Sequence, residues 1–206
     1  MSRSSLSTKQ RILNAAERLF ADHGFAAASL RRVTADAGVN LAAVNYHFGS
    51  KETLIEEVFR RRLDELNTNR IKSLERIEGQ PSTTLEDVLD AFAGPALTLA
   101  LDTRGGSAFV RVLARAYADQ DDRLRKFLSD NYGHVLKRFA HEFARLLPDL
   151  DKETLYWRLD IVAGALTYVM ADFGISKRRE GVSEAQHRKQ AKSYLIDFAA
   201  AGMRSA

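Results

Sequence analysis

Cysteine is absent from the chain, which rules out disulfides and thiolate-held metal sites and leaves the sequence compatible with a reducing compartment. Proline occurs three times, at Pro81, Pro95 and Pro148, so long stretches are free of the residue that interrupts helices. Apolar runs are cut by charges well short of the roughly 20 residues that a membrane-spanning helix needs. The opening MSRSSLSTK lacks the apolar core of a secretory signal. No strand-like alternation, repeat or low-complexity segment is found. These absences predict a soluble, cytoplasmic protein without membrane association. Net charge is also small, at +4, but it is unevenly placed. The first 51 residues hold seven Lys/Arg and three Asp/Glu, whereas the remaining 155 hold 24 of each, so the whole excess lies at the amino-terminal end. A phosphate-seeking segment beside a neutral one is the expected distribution for a nucleic-acid binder.

Helical spacing runs through almost the whole chain. Ile12, Leu13, Ala16, Leu19 and Phe20 form one apolar stripe, with Ser7 or Thr8 as N-cap and Gly24 as terminator. Ser29 caps a second helix, Leu30 to Ala37, and a short third helix runs from Leu41 to Phe48. Ser50 then caps a long charged helix from Lys51 to about Ile77, with Arg60-Arg61-Arg62 near its middle, suited to act as a strut. Gly79-Gln80-Pro81-Ser82 marks a boundary, and Ser82 or Thr83 is available to cap the next helix. Further helices are predicted over Thr84–Asp102, Ser107–Ala118, Asp121–Leu147, Lys152–Lys177 and Ser183–Met203. Breaks fall at Arg104-Gly105-Gly106, Pro148 and Gly181, and Gly94-Pro95 should kink or split the first of these helices.

The run from Ala37 to Lys51, AGVNLAAVNYHFGSK, reads as a helix end, a tight turn and a short helix with polar and aromatic tips. Gly38 stands where a left-handed backbone is needed, and Val39 plugs the core below. Val44 and Phe48 share one face of the short helix, leaving Asn40, Ala42, Ala43, Asn45 and Tyr46 largely on the outer side. Such a face fits a major groove.

In order and spacing, QRILNAAERLFADHGF, SLRRVTADAGV and NYHFGSKETL resemble the amino-terminal part of the TetR family of transcriptional regulators, from about Thr8 to Leu54. The resemblance implies an all-α fold in three segments. Residues 1–50 would be a helix-turn-helix DNA-binding domain, 51–78 a connecting helix, and 79–206 a ligand-binding and dimerisation domain. It also implies that Ser29, Tyr46, His47 and Lys51 contact sugar-phosphate. A hydroxyl, a phenol, an imidazole and an ammonium all donate hydrogen bonds to anionic oxygens. Partial burial in the small core is the alternative for Tyr46 and His47. Base reading is carried over to Arg31, Asn40, Leu41, Ala42, Ala43 and Asn45. An arginine fork matches guanine O6 and N7, and asparagine matches adenine. The chain has Asn40, Ala42 and Ala43 where Ser or Thr and Gly are usual in the family, which shifts readout toward thymine methyl contact or DNA shape.

The string AGVNLAAVNYHFGSK, together with DRLRKFLSDNYGHVLKRF and the tail DFAAAGMR, resembles the PsrA-type branch, which responds to long-chain fatty acids or their acyl-CoA esters. That likeness implies a small apolar or amphipathic effector. Phe92, Phe109, Val112, Leu113, Tyr117, Tyr132, Leu136, Phe139 and Tyr168 are the candidate lining, with plain core as their alternative. Arg111, Arg115, His134 and Tyr168 are the polar groups among them; a buried arginine beside an apolar cleft could hold a carboxylate or phosphate bidentately, an arginine on an outer helix face being the commoner alternative.

The last two helices are apolar on more than one side, with Leu155, Trp157, Leu159, Ile161, Val162, Leu166, Tyr168, Val169 and Phe173 on the first of them. Tyr194, Leu195, Phe198, Ala199, Gly202 and Met203 lie on the second, and the small Gly164 and Ala165 on the first allow close approach. This pattern predicts a homodimer through a four-helix bundle. Such a dimer suits a palindromic stretch of double-stranded operator DNA.

Glu184-Ala185-Gln186-His187 has di-iron spacing but occurs once, and His134 and His141 lack a third ligand, so no metal is expected. Neither a nucleophile elbow nor a phosphate loop is found, and neither an enzyme nor a cofactor is expected. The rival reading is a helical small-molecule carrier or interaction protein that has lost DNA binding, in which Arg31, Tyr46, His47 and Lys51 need not remain together.

Overall fold

The computed structural model describes residues 6–102, 105–119, 121–172 and 180–205. Among these the fold is all-helical, as expected. In chain order the helices are α1 Thr8–Ala27, α2 Leu30–Ala37, α3 Leu41–Phe48, α4 Lys51–Glu75, α5 Leu85–Ala100, α6 Gly106–Asp119, α7 Asp122–Leu146, α8 Lys152–Met170 and α9 Glu184–Arg204. Two compact units result: Met1–Glu65 with Asp102–Phe127, and Leu66–Leu101 with Leu128–Ala206. Both α4 and α7 contribute to two units, and α6 packs on α1.

The first unit is built on α1. Ser7 caps it, its hydroxyl accepting from the Gln10 N–H while the Gln10 amide oxygen accepts from the Ser7 N–H. Its stripe of Ile12, Ala16, Leu19 and Phe20 is buried, and the helix breaks at Gly24, which lets the Phe25 ring turn edge-on to Phe20. Phe25 in turn meets Phe59, and Phe59 meets Phe109, so α1, α4 and α6 share one aromatic cluster. Arg115 donates from Nε to the Ala21 carbonyl and from Nη2 to the Asp22 carbonyl, while Arg111 pairs with the Asp22 carboxylate. Both arginines therefore close the end of α1.

Inside this unit lies a buried ion cluster. Glu17 is 3% exposed and accepts from Arg62 through both oxygens, at 2.7 and 3.0 Å, and from Arg61 at 2.6 Å. Arg61 also donates to Asn14, and Arg62 to Asp102. Burial pulls the Arg62 guanidinium down, but the bonds and charges of Glu17 and Asp102 outweigh it and the net shift is upward. Gly105, at φ +120°, completes the cluster. A Cβ there would meet Arg62 Nη2 at 2.3 Å and Glu17 Oε1 at 2.6 Å, so any side chain would be strained at this φ and would have to displace the ion cluster.

The second unit packs α5, α8 and α9 against one another. Thr84 caps α5 through a reciprocal pair with Asp87, whereas Thr83 is buried and donates its hydroxyl to the Ile77 carbonyl. The cap expected at Ser82 or Thr83 thus falls one residue later. Nor does Gly94-Pro95 split α5, which is continuous with Pro95 inside it. The helix expected to reach Lys177 ends at Met170, followed by Asp172 at φ 52°. Residues 173–179, which include Phe173, lie outside the described residues, as does Arg104. Phe92 and Phe139 meet edge to face at 5.3 Å, and Arg70 covers the Phe92 ring at 3.9 Å. Two outer clamps close the unit, Arg204 with Glu86 and Arg138 with Glu78 and Glu75.

Removing one partner of a buried pair leaves the others uncompensated, so Glu17→Ala should cost about 3 kcal/mol or more in urea-induced unfolding. An effect under about 1 kcal/mol would contradict a structural role for the cluster. The second unit should respond to acid. The hydrogen bonds from Arg138 and Arg204 hold the carboxyls of Glu78 and Glu86 below their ordinary value of 4.5. The folded state thus binds protons less readily than the unfolded chain. The stabilisation is complete above that ordinary value and is lost as pH falls through it toward the lowered native values. Arg138→Gln should flatten the acid limb of melting temperature against pH; an unchanged limb would contradict this.

Candidate nucleic-acid interface

The turn between α2 and α3 is fixed from two sides. Gly38 takes the left-handed conformation, φ 62° and ψ 42°, and its N–H returns to the Ala35 and Thr34 carbonyls. Arg11, on α1, donates from Nε to the Ala37 carbonyl at 3.0 Å and from Nη2 to the Ala37 and Gly38 carbonyls, each at 2.6 Å. These carbonyls end a helix and have no intrahelical donor, so the guanidinium supplies the missing bonds and a favourable charge. Nothing in the local sequence assigns Arg11 this part, since its partners lie 26 and 27 residues away.

With only eight residues α3 is far below the roughly 12 to 15 at which an isolated helix becomes marginally stable, so its ends and its buried face must hold it. Asn40 is its N-cap, with the side-chain oxygen accepting from the Ala43 N–H at 2.9 Å. The Gly49 N–H closes the other end on the Asn45 carbonyl. Val44 and Phe48 are buried. Their burial turns Leu41, Ala42, Asn45 and Tyr46 to solvent, with Ala43 and His47 at the margin. Tyr46 is 86% exposed, and its ring stands edge-on to His47. The alternative of partial burial therefore does not apply to Tyr46, whereas His47 is half-buried.

On α2 the Ser29 hydroxyl accepts from the Arg32 N–H, and Val33, Thr34 and Ala37 face inward. Arg31 is exposed, and among the described residues no carboxylate pairs with it. Its neighbour Arg32 is held instead by the His23 ring, Nη2 to Nε2 at 2.8 Å. Lys51 sits half-buried at the start of α4 and donates to the Ala26 carbonyl at 3.2 Å. Here Ser50 accepts from the Thr53 N–H, and Glu52 is held below the ordinary carboxylate range by the backbone N–H of the helix start and the Ser50 hydroxyl.

The expected contact set is thus carried on packed neighbours, since α2 and α3 lie against each other and against α1. Of that set, Arg31, Asn45 and Tyr46 have unengaged polar ends at the surface, while Asn40 and Lys51 already hold backbone groups. The candidate effector residues are shared between the two units. Phe92 and Phe139 are in contact in the second unit, where Tyr132 and Leu136 are half-buried. Phe109 and Val112 are buried in the first unit, where Leu113 is half-buried and Tyr117 exposed. Tyr168 is exposed on α8.

A second surface feature lies on α8 and α9. Leu155, Leu159, Val162 and Leu166 are buried, yet Trp157, Ile161 and Tyr168 on the same helix are 64%, 62% and 48% exposed. Tyr194 and Phe198 on α9 are each 72% exposed, and Gly164, Ala165 and Ala191 lie between them in a shallow apolar hollow.

Comparison with known proteins places both halves of the chain. Residues 12–58 match the bacterial regulatory proteins of the tetR family, and residues 90–202 match the tetracyclin repressor-like C-terminal domain. Curated relatives include the HTH-type transcriptional regulator AcrR of Shigella flexneri, 33% identical over 87 residues, 40% of this chain and 38% of that protein. The HTH-type transcriptional repressor AcnR of Corynebacterium glutamicum is 43% identical over 47 residues, 23% of this chain and 25% of that protein. The matched segments therefore span well under two thirds of those relatives. Among solved structures, the fatty acid degradation regulator FadR from Bacillus halodurans has a TM-score of 0.66 at 16% identity, covering 99% of this chain and 100% of that one. AmtR of Mycobacterium smegmatis has a TM-score of 0.64 at 17% identity, covering 96% and 88%. These structural likenesses are likenesses of fold. With its carboxy-terminal match alone spanning more than half of the sequence, the chain belongs to the TetR family of bacterial regulatory proteins.

Proposed function

We infer that the protein is a ligand-responsive transcriptional repressor that binds a palindromic operator as a homodimer. The observation that carries this reading is the exposed set of Arg31, Asn45 and Tyr46 on α2 and α3, held by caps at Ser29, Asn40 and Gly49 and by Arg11. In this reading residues 1–50 grip DNA, 51–78 connect, and 79–206 bind the effector and pair. Tyr46, His47, Lys51 and the Ser29 cap hold phosphates, with Lys51 exchanging the Ala26 carbonyl for a phosphate oxygen. Arg31, Leu41, Ala42, Ala43 and Asn45 read base edges, and Asn40 is foremost a cap that has its amide N–H groups left to offer. The exposed Trp157, Ile161, Tyr168, Tyr194 and Phe198 support pairing of α8 and α9 with those of a second copy, since a patch of this kind on a lone chain is an interaction surface. The effector is a fatty acid or its acyl-CoA ester, supported by the resemblance to PsrA-type sequences. Its binding shifts α4 and so the separation of the two reading helices, a coupling for which about 1 to 3 kcal/mol suffices.

Duplexes selected from a random pool should show two half-sites about one helical turn apart, and binding should weaken steeply with salt. Lys51→Ala should reduce the slope of log affinity against log salt by about one, and Arg31→Ala should relax base preference by about 1 to 3 kcal/mol. Affinity indifferent to salt and to both changes would instead favour a carrier. Asn40→Ala should cost about 1 kcal/mol of stability, whereas Asn45→Ala should leave stability unchanged and weaken duplex binding. The reverse pattern would contradict the assignment of cap and reader. Phe198→Glu should give a monomer by sedimentation, and an unchanged dimer would place the pairing surface elsewhere.

A further inference from the structure

A cleft of about 1140 Å³ lies in the second unit, walled by one face each of α4, α5 and α9. That is at or above the size of pockets that hold drug-sized molecules. From the end of α4 come Lys72 and Ser73, with Arg76 just past it, and from α9 come Arg188, Lys189 and Lys192. The floor belongs to α5, where Ala91, Gly94 and Pro95 are small or compact and keep the trough open. Ile77, Leu97 and Leu101 add apolar surface, and Leu101 is exposed. Pro95 has no N–H, so the Ala91 carbonyl in the floor lacks its usual donor four residues on.

The charge in this cleft is out of proportion to its surroundings. Residues 52–206 balance to zero overall, yet five cations line the cleft against two carboxylates, Asp87 and Asp90. Both carboxylates are engaged: Asp87 accepts from the Thr84 N–H and hydroxyl, and Asp90 pairs with Lys192 at 2.8 Å. Arg188 is held by Glu184 and Asp172. Arg76 donates only to neutral groups, the Lys72 carbonyl and the Ser73 hydroxyl. Among the described residues no carboxylate pairs with Lys72, Arg76 or Lys189. Three unneutralised cations facing one trough repel each other and attract an anion carrying more than one charge. A single carboxylate would leave two of them unmatched, whereas a phosphate ester brings up to two charges and several acceptor oxygens. The apolar floor in turn calls for a hydrocarbon part.

We propose that this cleft binds an amphipathic organophosphate, its anionic head set among Lys72, Arg76 and Lys189 and its hydrocarbon part along Ala91, Pro95 and Leu101. The site is separate from the aromatic core around Phe92 and Phe139. Its occupant is recognised at the surface by charge and contact together, so neither half of the ligand suffices alone.

The test is calorimetric titration of the full chain, without DNA, with octyl phosphate, inorganic phosphate and octanol. Octyl phosphate is expected to bind saturably at one site per chain, about tenfold or more tighter than either of the other two. The triple variant Lys72→Gln, Arg76→Gln, Lys189→Gln should weaken it by about tenfold or more, and Lys189→Glu alone, at an exposed helix position, by about threefold. Lys137→Gln, on α7 and outside the cleft, should leave it unchanged. No saturable binding, equal affinity for inorganic phosphate, or cleft variants that bind like the wild type would overturn the proposal. Because no duplex is present, such a failure leaves the operator reading untouched, and loss of operator binding leaves this site untouched.

Discussion

The buried carboxylate of Glu17 is the constraint on which the amino-terminal unit depends. The three helices from Thr8 to Phe48 enclose too little apolar surface to be secure alone, and α4 closes their core with Leu54, Val58 and Phe59, all fully buried. Apolar contact leaves the sliding of one helix on another poorly defined. A bidentate pair between Glu17 and Arg62, reinforced by Arg61 and Asn14, admits one register of α1 on α4. Gly105 lies directly against that cluster, so the start of α6 is set beside the same carboxylate. Its contribution to net stability is modest against an apolar replacement, and its value lies in specifying one arrangement.

From that arrangement the exposed groups acquire their positions. Arg11, one helix turn and a half before Glu17, reaches the end of α2 and holds the turn, while the inward side of α3 is reduced to Val44 and Phe48. An eight-residue helix with both ends capped and two anchors has little freedom, so Asn45 and Tyr46 are presented in advance of any contact. Preorganisation of this kind lowers the ordering entropy that binding must overcome. The carboxy-terminal unit uses the same economy with the opposite chemistry. Its α8 buries Leu155, Leu159, Val162 and Leu166 and leaves Trp157, Ile161 and Tyr168 exposed on its other side.

Much of this is legible in the chain because it is local. Ser7, Ser29 and Ser50 cap as their spacing implies, Gly38 adopts the left-handed turn, and Gly24 breaks α1. Where neighbouring residues are chemically equivalent, local reading fails. Ser82, Thr83 and Thr84 are all competent caps, and only the reciprocal bond with Asp87 selects Thr84. Gly94-Pro95 reads as a kink or a split, and α5 is not split because buried residues on both sides of Pro95, Phe92 and Ala96 among them, hold the helix against the loss of one hydrogen bond. Arg11, Arg111 and Arg115 act across 26 to 94 residues on carbonyls and a carboxylate whose positions exist only after folding. The cleft cations are likewise joined by the fold, with Lys72 and Lys189 on helices far apart in sequence. Periodicity marks which side of a helix is buried and is silent on which helix buries it.

Whether the outer side of α3 touches the duplex is tested most directly by a photo-crosslinking residue in place of Tyr46. Irradiation with a duplex bound by the unsubstituted protein should yield a covalent adduct at that position that disappears as salt is raised. A crosslink to protein alone, or no adduct under conditions where the duplex is bound, would contradict the account.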